Sequence, residues 1–155
     1  MPYYRAYKRP RAAKKKYSVM QKAFGFEAAK DTTSQVEVVP ATNTEGTRKV
    51  KNITVTATVP TPYDAPLYWA LVYVPEGTAP GGLNIATTAG QSTSLYEPNQ
   101  FVMNCGIADS NAGPIRFWSP LARNLNDGDR IYLLIRHQAT ETISIRTLIR
   151  YAIAF

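Results

Sequence analysis

From residue 33 onward the chain consists of short runs in which apolar side chains recur at every second position. The clearest run covers residues 50–59, where Ile53, Val55 and Ala57 alternate with three threonines. A period of two residues with β-branched side chains is typical of a half-buried β-strand and does not fit an amphipathic helix. The repeated occurrence of this pattern is the feature that most restricts the fold.

A second run, residues 67–74, is apolar on both faces and lies between Pro66 and Pro75. A strand that is buried on both sides has this composition, and prolines are typical of strand ends. Further strands are predicted at residues 35–39, 84–88, 99–105, 114–118, 130–136 and 143–155. The chain therefore has about eight candidate strands.

Clusters rich in glycine, asparagine and aspartate separate these runs at residues 80–82, 109–113 and 126–129. Such residues form turns because they tolerate positive φ. Many short strands joined by turns predict an all-β fold, and we expect an eight-stranded antiparallel jelly roll, a β-sandwich, over residues 31–155. Residues 17–30 have some apolar content but no clear period, so residues 1–30 are assigned to a flexible N-terminal arm and a transition segment without predicted structure.

The positive charge is concentrated in residues 1–16. This segment has seven basic side chains and no acidic one, while the other 139 residues carry eleven of each, so the arm accounts for the whole formal net charge of +7. The arm cannot bury a core and is predicted to be flexible when alone. A charge asymmetry of this kind indicates a polyanionic partner, either nucleic acid or an anionic membrane surface.

Nucleic acid fits the composition of the arm, because each cation can release a counterion condensed on the phosphates and tyrosines can stack on unpaired bases. Residues 14–16 could also serve as a nuclear import signal. A second basic group, at residues 48–51, either lines the same surface as the arm or is a solvated strand edge. The predicted nucleic-acid-binding residues are Tyr3, Tyr4, Arg5, Tyr7, Lys8, Arg9, Arg11, Lys14, Lys15, Lys16, Lys22, Arg48, Lys49 and Lys51.

Residues that could carry catalysis are few. The chain has one cysteine, Cys105, and one histidine, His137, which we interpret as a small apolar strand residue and a surface group at a strand end. Asp127 and Asp129 flank Gly128 and are interpreted as turn residues. We therefore expect no enzymatic activity, no cofactor and no metal. No apolar run is long enough to cross a bilayer, and none follows the basic N-terminus as in a secretory signal, so neither membrane insertion nor a removed leader is expected.

Three segments, in their order behind the basic arm, carry a resemblance. They are KVKNITVTAT at residues 49–58, LYWALVYVPEG at residues 67–77 and NLNDGDRIYLLI at residues 124–135, followed by the strand at 143–155. This arrangement resembles the capsid proteins of small circular single-stranded DNA viruses of the nanovirus and circovirus-like kind. The pattern extends over most of the chain, although the arm is short and bears tyrosine and lysine where circovirus arms are long and rich in arginine.

The resemblance implies a capsid protein that self-assembles into a small icosahedral shell of about sixty copies. It also implies single-stranded nucleic acid as a partner, circular DNA in this family, with a host nuclear import receptor as a second partner of the arm. The protein would then occur in the virion and in the host nucleus. Other interpretations remain open: the coat protein of a small RNA satellite virus, a cellular nucleic-acid-binding β-domain of ribosomal or chromatin type, and an enzyme or sugar-binding jelly roll with an incidental tail.

Overall fold

The computed structural model describes residues 14, 16–60, 65–83, 101–109, 111 and 113–155. In these residues the chain forms nine β-strands and no α-helix. The strands are β1 (Ser18–Ala28), β2 (Ser34–Val39), β3 (Arg48–Thr58), β4 (Pro66–Val74), β5 (Phe101–Asp109), β6 (Ile115–Ser119), β7 (Arg123–Leu125), β8 (Arg130–His137) and β9 (Ile143–Ala154).

The strands form two antiparallel sheets. One has the order β1-β9-β3-β6, with β7 also paired to β3, and the other has the order β2-β8-β4-β5. β6 pairs with β3 from Ala57 to Ile53, and β7 pairs with it from Val50 to Arg48, so these two strands share one position at the sheet edge. Each sheet therefore has four strand positions. The chain passes from one sheet to the other between consecutive strands, except from β4 to β5 and from β6 to β7, which stay in one sheet. This strand order is that of a jelly roll, which confirms the predicted fold class.

The predicted strands at 35–39, 50–59, 67–74, 114–118, 130–136 and 143–155 each coincide with an observed strand, with small differences at the ends. The prediction at 99–105 coincides in part with β5, and its first two residues lie outside the described part of the chain, as does the whole prediction at 84–88. The short strand β7 was not predicted, since three residues are too few to show a period.

The core lies between the two sheets. It is formed by the inward positions of both sheets, for example Val55 and Ile149 from the first sheet and Leu133 and Ile135 from the second, all of which are fully buried. A second apolar cluster lies on the opposite face of the second sheet, where Leu83 packs against strands β4 and β8. Hydrogen bonds hold this covering segment in place, since Arg136 donates to the carbonyl of Leu83 at 2.7 Å.

Strand β1 is the main difference from the expectation, because the sequence predicted no structure for residues 17–30. β1 pairs with β9 along its whole length, from Ser18 opposite Ile153 to Ala28 opposite Ile143. It lies at the edge of the sheet, and its side chains are exposed on both faces except near its C-terminal end. An edge strand with two exposed faces has no reason to alternate apolar and polar residues, so no period was visible. The division of the chain at residue 30 remains a prediction, although β1 belongs to the sheet.

Candidate nucleic-acid interface

The outer face of the β1-β9-β3-β6 sheet concentrates positive charge. The register places Thr54 between Arg150 on β9 and Trp118 on β6, and Thr56 between Leu148 and Arg116. Because alternate residues of a strand point to opposite faces, these side chains share the face that points away from the core. The face carries five cations from three strands, Lys49, Lys51, Arg116, Arg146 and Arg150, and we call it the basic face.

Acidic groups are scarce on the basic face. Among the outward positions of its described strands the single carboxylate is Glu27, which lies near the end of β1 opposite Ser144. The ion pair found in the described residues, between Arg130 and Glu37 at 3.8 Å, belongs to the other sheet. None of the five cations of the basic face forms an ion pair with a carboxylate of the described residues, and the excess of positive charge attracts polyanions.

Aromatic rings accompany these cations. The Lys51 ammonium lies 3.9 Å from the centre of the Tyr17 ring, and the Arg116 guanidinium lies 5.6 Å from that of Trp118. Trp118 is 43% exposed although it is a large apolar residue. Exposed aromatic rings beside cations are the arrangement with which proteins bind single-stranded nucleic acid, through stacking and phosphate contacts together.

The structure describes only part of the predicted binding residues. Lys14 and Lys16 are exposed and precede β1, and Lys22 is exposed on β1, with its ammonium 5.4 Å from the centre of the Phe24 ring. Lys49 and Lys51 are half-buried on the basic face. The remaining predicted residues of the arm lie outside the described residues: Tyr3, Tyr4, Arg5, Tyr7, Lys8, Arg9, Arg11 and Lys15.

Arg48 differs from the expectation of a surface cation, because its side chain is directed into the protein and only 3% exposed. Its guanidinium donates to the carbonyl of Pro40 at 3.0 Å and to that of Asp129 at 3.3 Å. Before Asn52 the inward residues of β3, Arg48 and Val50, have even numbers, whereas after Asn52 the inward residues have odd numbers. A bulge at Asn52 causes this change. Arg48 therefore holds the loops at this end of the sandwich together, and it does not join Lys49 and Lys51 on the basic face.

Asp129 occupies the turn before β8, as the sequence indicated, and it is buried. Its carboxylate accepts hydrogen bonds from the Tyr73 hydroxyl at 2.7 Å and from the backbone N–H groups of Asn126 at 2.8 Å and Glu76 at 3.1 Å. Burial, together with the bond to this carboxylate, raises the pKa of Tyr73 to about 12. The residue serves to fix the loops, in agreement with its interpretation as a turn residue.

His137 lies at the end of β8, but it is fully buried and not the surface group that we expected. Its Nε2 lies 2.8 Å from the carbonyl oxygen of Ala28, and its Nδ1 accepts the N–H of Ala139 at 3.2 Å. These partners require a neutral ring with the proton on Nε2. The histidine therefore joins the end of β1 to the other sheet. Cys105 lies on β5, as expected, and is exposed there.

Three arginines and a tryptophan of the basic face were missed at the level of sequence. Arg146 and Arg150 were visible as polar positions that alternate with isoleucines in the last strand, and Arg116 alternates with buried residues of β6. Each is an ordinary outward residue within its own strand. They form a group only because β9 lies beside β3, from which it is separated by almost a hundred residues of chain.

Within the described residues, no group of three or more histidine, cysteine, aspartate or glutamate side chains is placed to hold a metal ion. A search of the same residues for a helix with the length and hydropathy needed to span a bilayer finds none.

No protein-family model and no curated protein sequence matches the chain. Among solved structures, the VP2 subviral particle of infectious bursal disease virus is similar with a TM-score of 0.35 and 10% identity, over 90% of this chain and 32% of that one. Desmodium yellow mottle tymovirus is similar with a TM-score of 0.30 and 12% identity, over 94% of this chain and 91% of that one. The chain thus spans about a third of the first neighbour. Both neighbours are of viral origin, and the assignment of the jelly roll rests on the strand order.

Proposed function

We propose that this protein is the coat protein of a small icosahedral virus and that it packages single-stranded nucleic acid, which we take to be circular DNA. The observation that carries the proposal is the separation of charge on a jelly roll. A basic arm enters β1 at the edge of the one sheet whose outer face is itself basic. Lys14 and Lys16, the described cations of the arm, directly precede this strand, and in our proposal the arm and the basic face bind the same polyanion.

The arm supplies most of the attraction in this proposal. Seven cations that each neutralise a phosphate of a single strand give a dependence of log K on log salt with a slope of about −5. Tyr3, Tyr4 and Tyr7 add stacking on unpaired bases, which favours single strands over duplexes. The basic face adds a smaller number of contacts at fixed positions. Binding of this kind has no sequence specificity.

Assembly into a shell is the second part of the proposal. Jelly rolls pack side by side through their edge strands and loops, and several apolar side chains of the edge strands are exposed, among them Met20 on β1 and Phe101 and Ile107 on β5. Closed symmetric assembly would bury such residues between copies. In this scheme the arm binds the genome in the interior of the virion, and before assembly it is free to bind a nuclear import receptor.

Electron microscopy of the purified protein tests the proposal, with absorbance at 260 and 280 nm recorded on the same fraction. We expect closed particles of uniform size that contain nucleic acid. A matched variant replaces the seven arm cations with glutamine while keeping the chain length. It should still form particles, but these should contain little nucleic acid and lose most of the salt dependence of binding.

Three outcomes would contradict the proposal. A small species that binds nucleic acid without forming particles would indicate a cellular binding module. Particles of the glutamine variant that protect nucleic acid as well as the unchanged protein would exclude the role of the arm. Particles from infected tissue whose genome is digested by ribonuclease but not by deoxyribonuclease would replace DNA with RNA.

A further inference from the structure

A cavity of about 270 Å³ opens on the basic face, at the irregular part of β3. Asn52, Thr54, Arg116 and Arg150 are among the residues that line it. These four side chains all carry hydrogen-bond donors, and two of them are permanently charged. Four donor-bearing side chains therefore line one cavity on this face, together with Val19, Tyr151 and Ala152.

The cavity exists because β3 carries a bulge. Asn52 has a φ of 54°, a left-handed conformation that non-glycine residues seldom adopt. The pairing of β3 with β9 shifts register between Lys51 and Thr54. On the opposite edge of β3, strand β6 ends opposite Ile53 and β7 begins opposite Val50, so the pairing is interrupted there as well. Bulges of this kind re-aim side chains and are frequent beside functional sites. Here the bulge makes a depression in the middle of an otherwise continuous sheet.

Two arginines face this depression from opposite sides of β3. Arg150 lies on β9 opposite Thr54, and Arg116 lies on β6 opposite Thr56. No carboxylate of the described residues lies within ion-pair distance of either guanidinium. Two positive groups that share a cavity repel each other, and an anion bound between them removes this repulsion. Guanidinium groups also match the geometry of phosphate oxygens better than ammonium groups do.

We infer that this cavity binds a phosphate group of the single-stranded nucleic acid backbone, an inference that rests on the function proposed above. Arg116 and Arg150 hold the phosphate oxygens from two sides, and Asn52 and Thr54 donate further hydrogen bonds from the floor. Trp118 pairs with Thr54 in the same row of the sheet and is exposed, so a base adjoining the bound phosphate can stack on its ring. The nucleic acid is thus held at a fixed point of each subunit, in addition to the diffuse attraction of the arm.

The test measures the binding of a fluorescent oligothymidylate to the full-length protein by anisotropy over a series of salt concentrations. The variants are Arg116→Gln, Arg150→Gln and the double variant. Arg146→Gln is the matched control, because it removes the same charge from the same strand as Arg150 but does not line the cavity. All three positions are exposed, and thermal unfolding checks that the variants are folded.

We expect Arg116→Gln and Arg150→Gln each to weaken binding at least about tenfold more than Arg146→Gln does. Because both arginines hold one phosphate, the loss in the double variant should be smaller than the product of the two single losses. Inorganic phosphate, compared with chloride at equal ionic strength, should compete with the oligomer on the unchanged protein and on Arg146→Gln, but not on the cavity variants.

The outcomes separate this inference from the proposed function. Equal losses in all three single variants would refute the cavity as a site while leaving the arm and the coat function in place. Failure of the unchanged protein to bind the oligomer even at low salt would reject both. A free thymidine monophosphate that binds as tightly as the oligomer would identify a mononucleotide site and overturn the assignment to a backbone.

Discussion

Replacing Asp129 with alanine should destabilise the protein far more than the same change at its neighbour Asp127. The Asp129 carboxylate is buried and accepts three hydrogen bonds, from the Tyr73 hydroxyl and from the backbone N–H groups of Asn126 and Glu76. Two of these donors belong to the end of β4 and the loop after it, and the third belongs to the turn before β8. Alanine leaves all three without their partner and removes the group that holds β4, the loop after it and the turn before β8 together.

The size of the effect follows from the exposure of the three donors. Asn126 and Glu76 are exposed residues, so water can solvate their N–H groups after the change, and each lost bond should cost about 1 kcal/mol. The Tyr73 hydroxyl is half-buried, and its bond to a charged acceptor should be worth about 1.5 kcal/mol. The three lost hydrogen bonds add up to about 3.5 kcal/mol. Alanine also removes the cost of burying a charged carboxylate, which offsets part of this loss, so we expect a net loss of about 3 kcal/mol.

Urea unfolding followed by fluorescence measures this loss, at a dilution where the protein does not assemble. The Asp127→Ala control should lie within about 0.5 kcal/mol of the unchanged protein, because Asp127 is exposed on the same turn. A double-mutant cycle with Tyr73→Phe should give a coupling energy of about 1 kcal/mol. A loss for Asp129→Ala no larger than that of the control, or a cycle without coupling, would contradict the role of this carboxylate.

Three further predictions concern stability. Gly128→Ala should cost more than about 2 kcal/mol in urea unfolding, because Gly128 has a φ of 76° and an added Cβ would overlap the Glu76 side chain. The control is Gly113→Ala, where φ is 92° and the added Cβ meets open space. It should cost only the backbone strain of about 1 kcal/mol. His137→Leu should lower the free energy of unfolding by about 2 kcal/mol, since it leaves the Ala28 carbonyl and the Ala139 N–H, both buried, without the ring as a partner. A loss below about 0.5 kcal/mol would contradict the role of the ring. Because the pKa of Tyr73 is raised in the folded protein, the contribution of its hydroxyl to stability is complete below pH 10 and is lost as the pH rises towards 12. The free energy of unfolding of Tyr73→Phe should therefore decline less steeply over this range than that of the unchanged protein.

The fold could be predicted where a strand is buried on at least one face. The alternation around Val55 is visible because one face of β3 contacts the core and the other does not. It was not visible in β1, whose two faces are both exposed and whose stability depends on backbone pairing with β9. The prediction that Arg48 lies on the surface was wrong, since nothing in the sequence marks the bulge at Asn52. This bulge changes which residues of β3 point inward.

The candidate site was predictable only where charges are adjacent in sequence. The arm shows its cations as a run, and Lys49 and Lys51 are neighbours within one strand. Arg116 and Arg150 are isolated in sequence, and only the order of strands in the sheet places them around one cavity. Pairings between strands that are distant in sequence depend on the whole chain, so no local pattern could have identified this pair.

The position of β9 between β1 and β3 has a consequence for how the protein is made. β9 is the last of the described strands to leave the ribosome, and both of its neighbours in the sheet are synthesised long before it. Until β9 emerges, β1 has no strand with which to pair, and the chain can complete only part of the sandwich. Synthesis that stops before β9 therefore yields a chain in which this sheet cannot be completed. The complete sheet forms only in chains translated to the end of β9, and we expect the long-range pairing of this strand to be the slow step of folding.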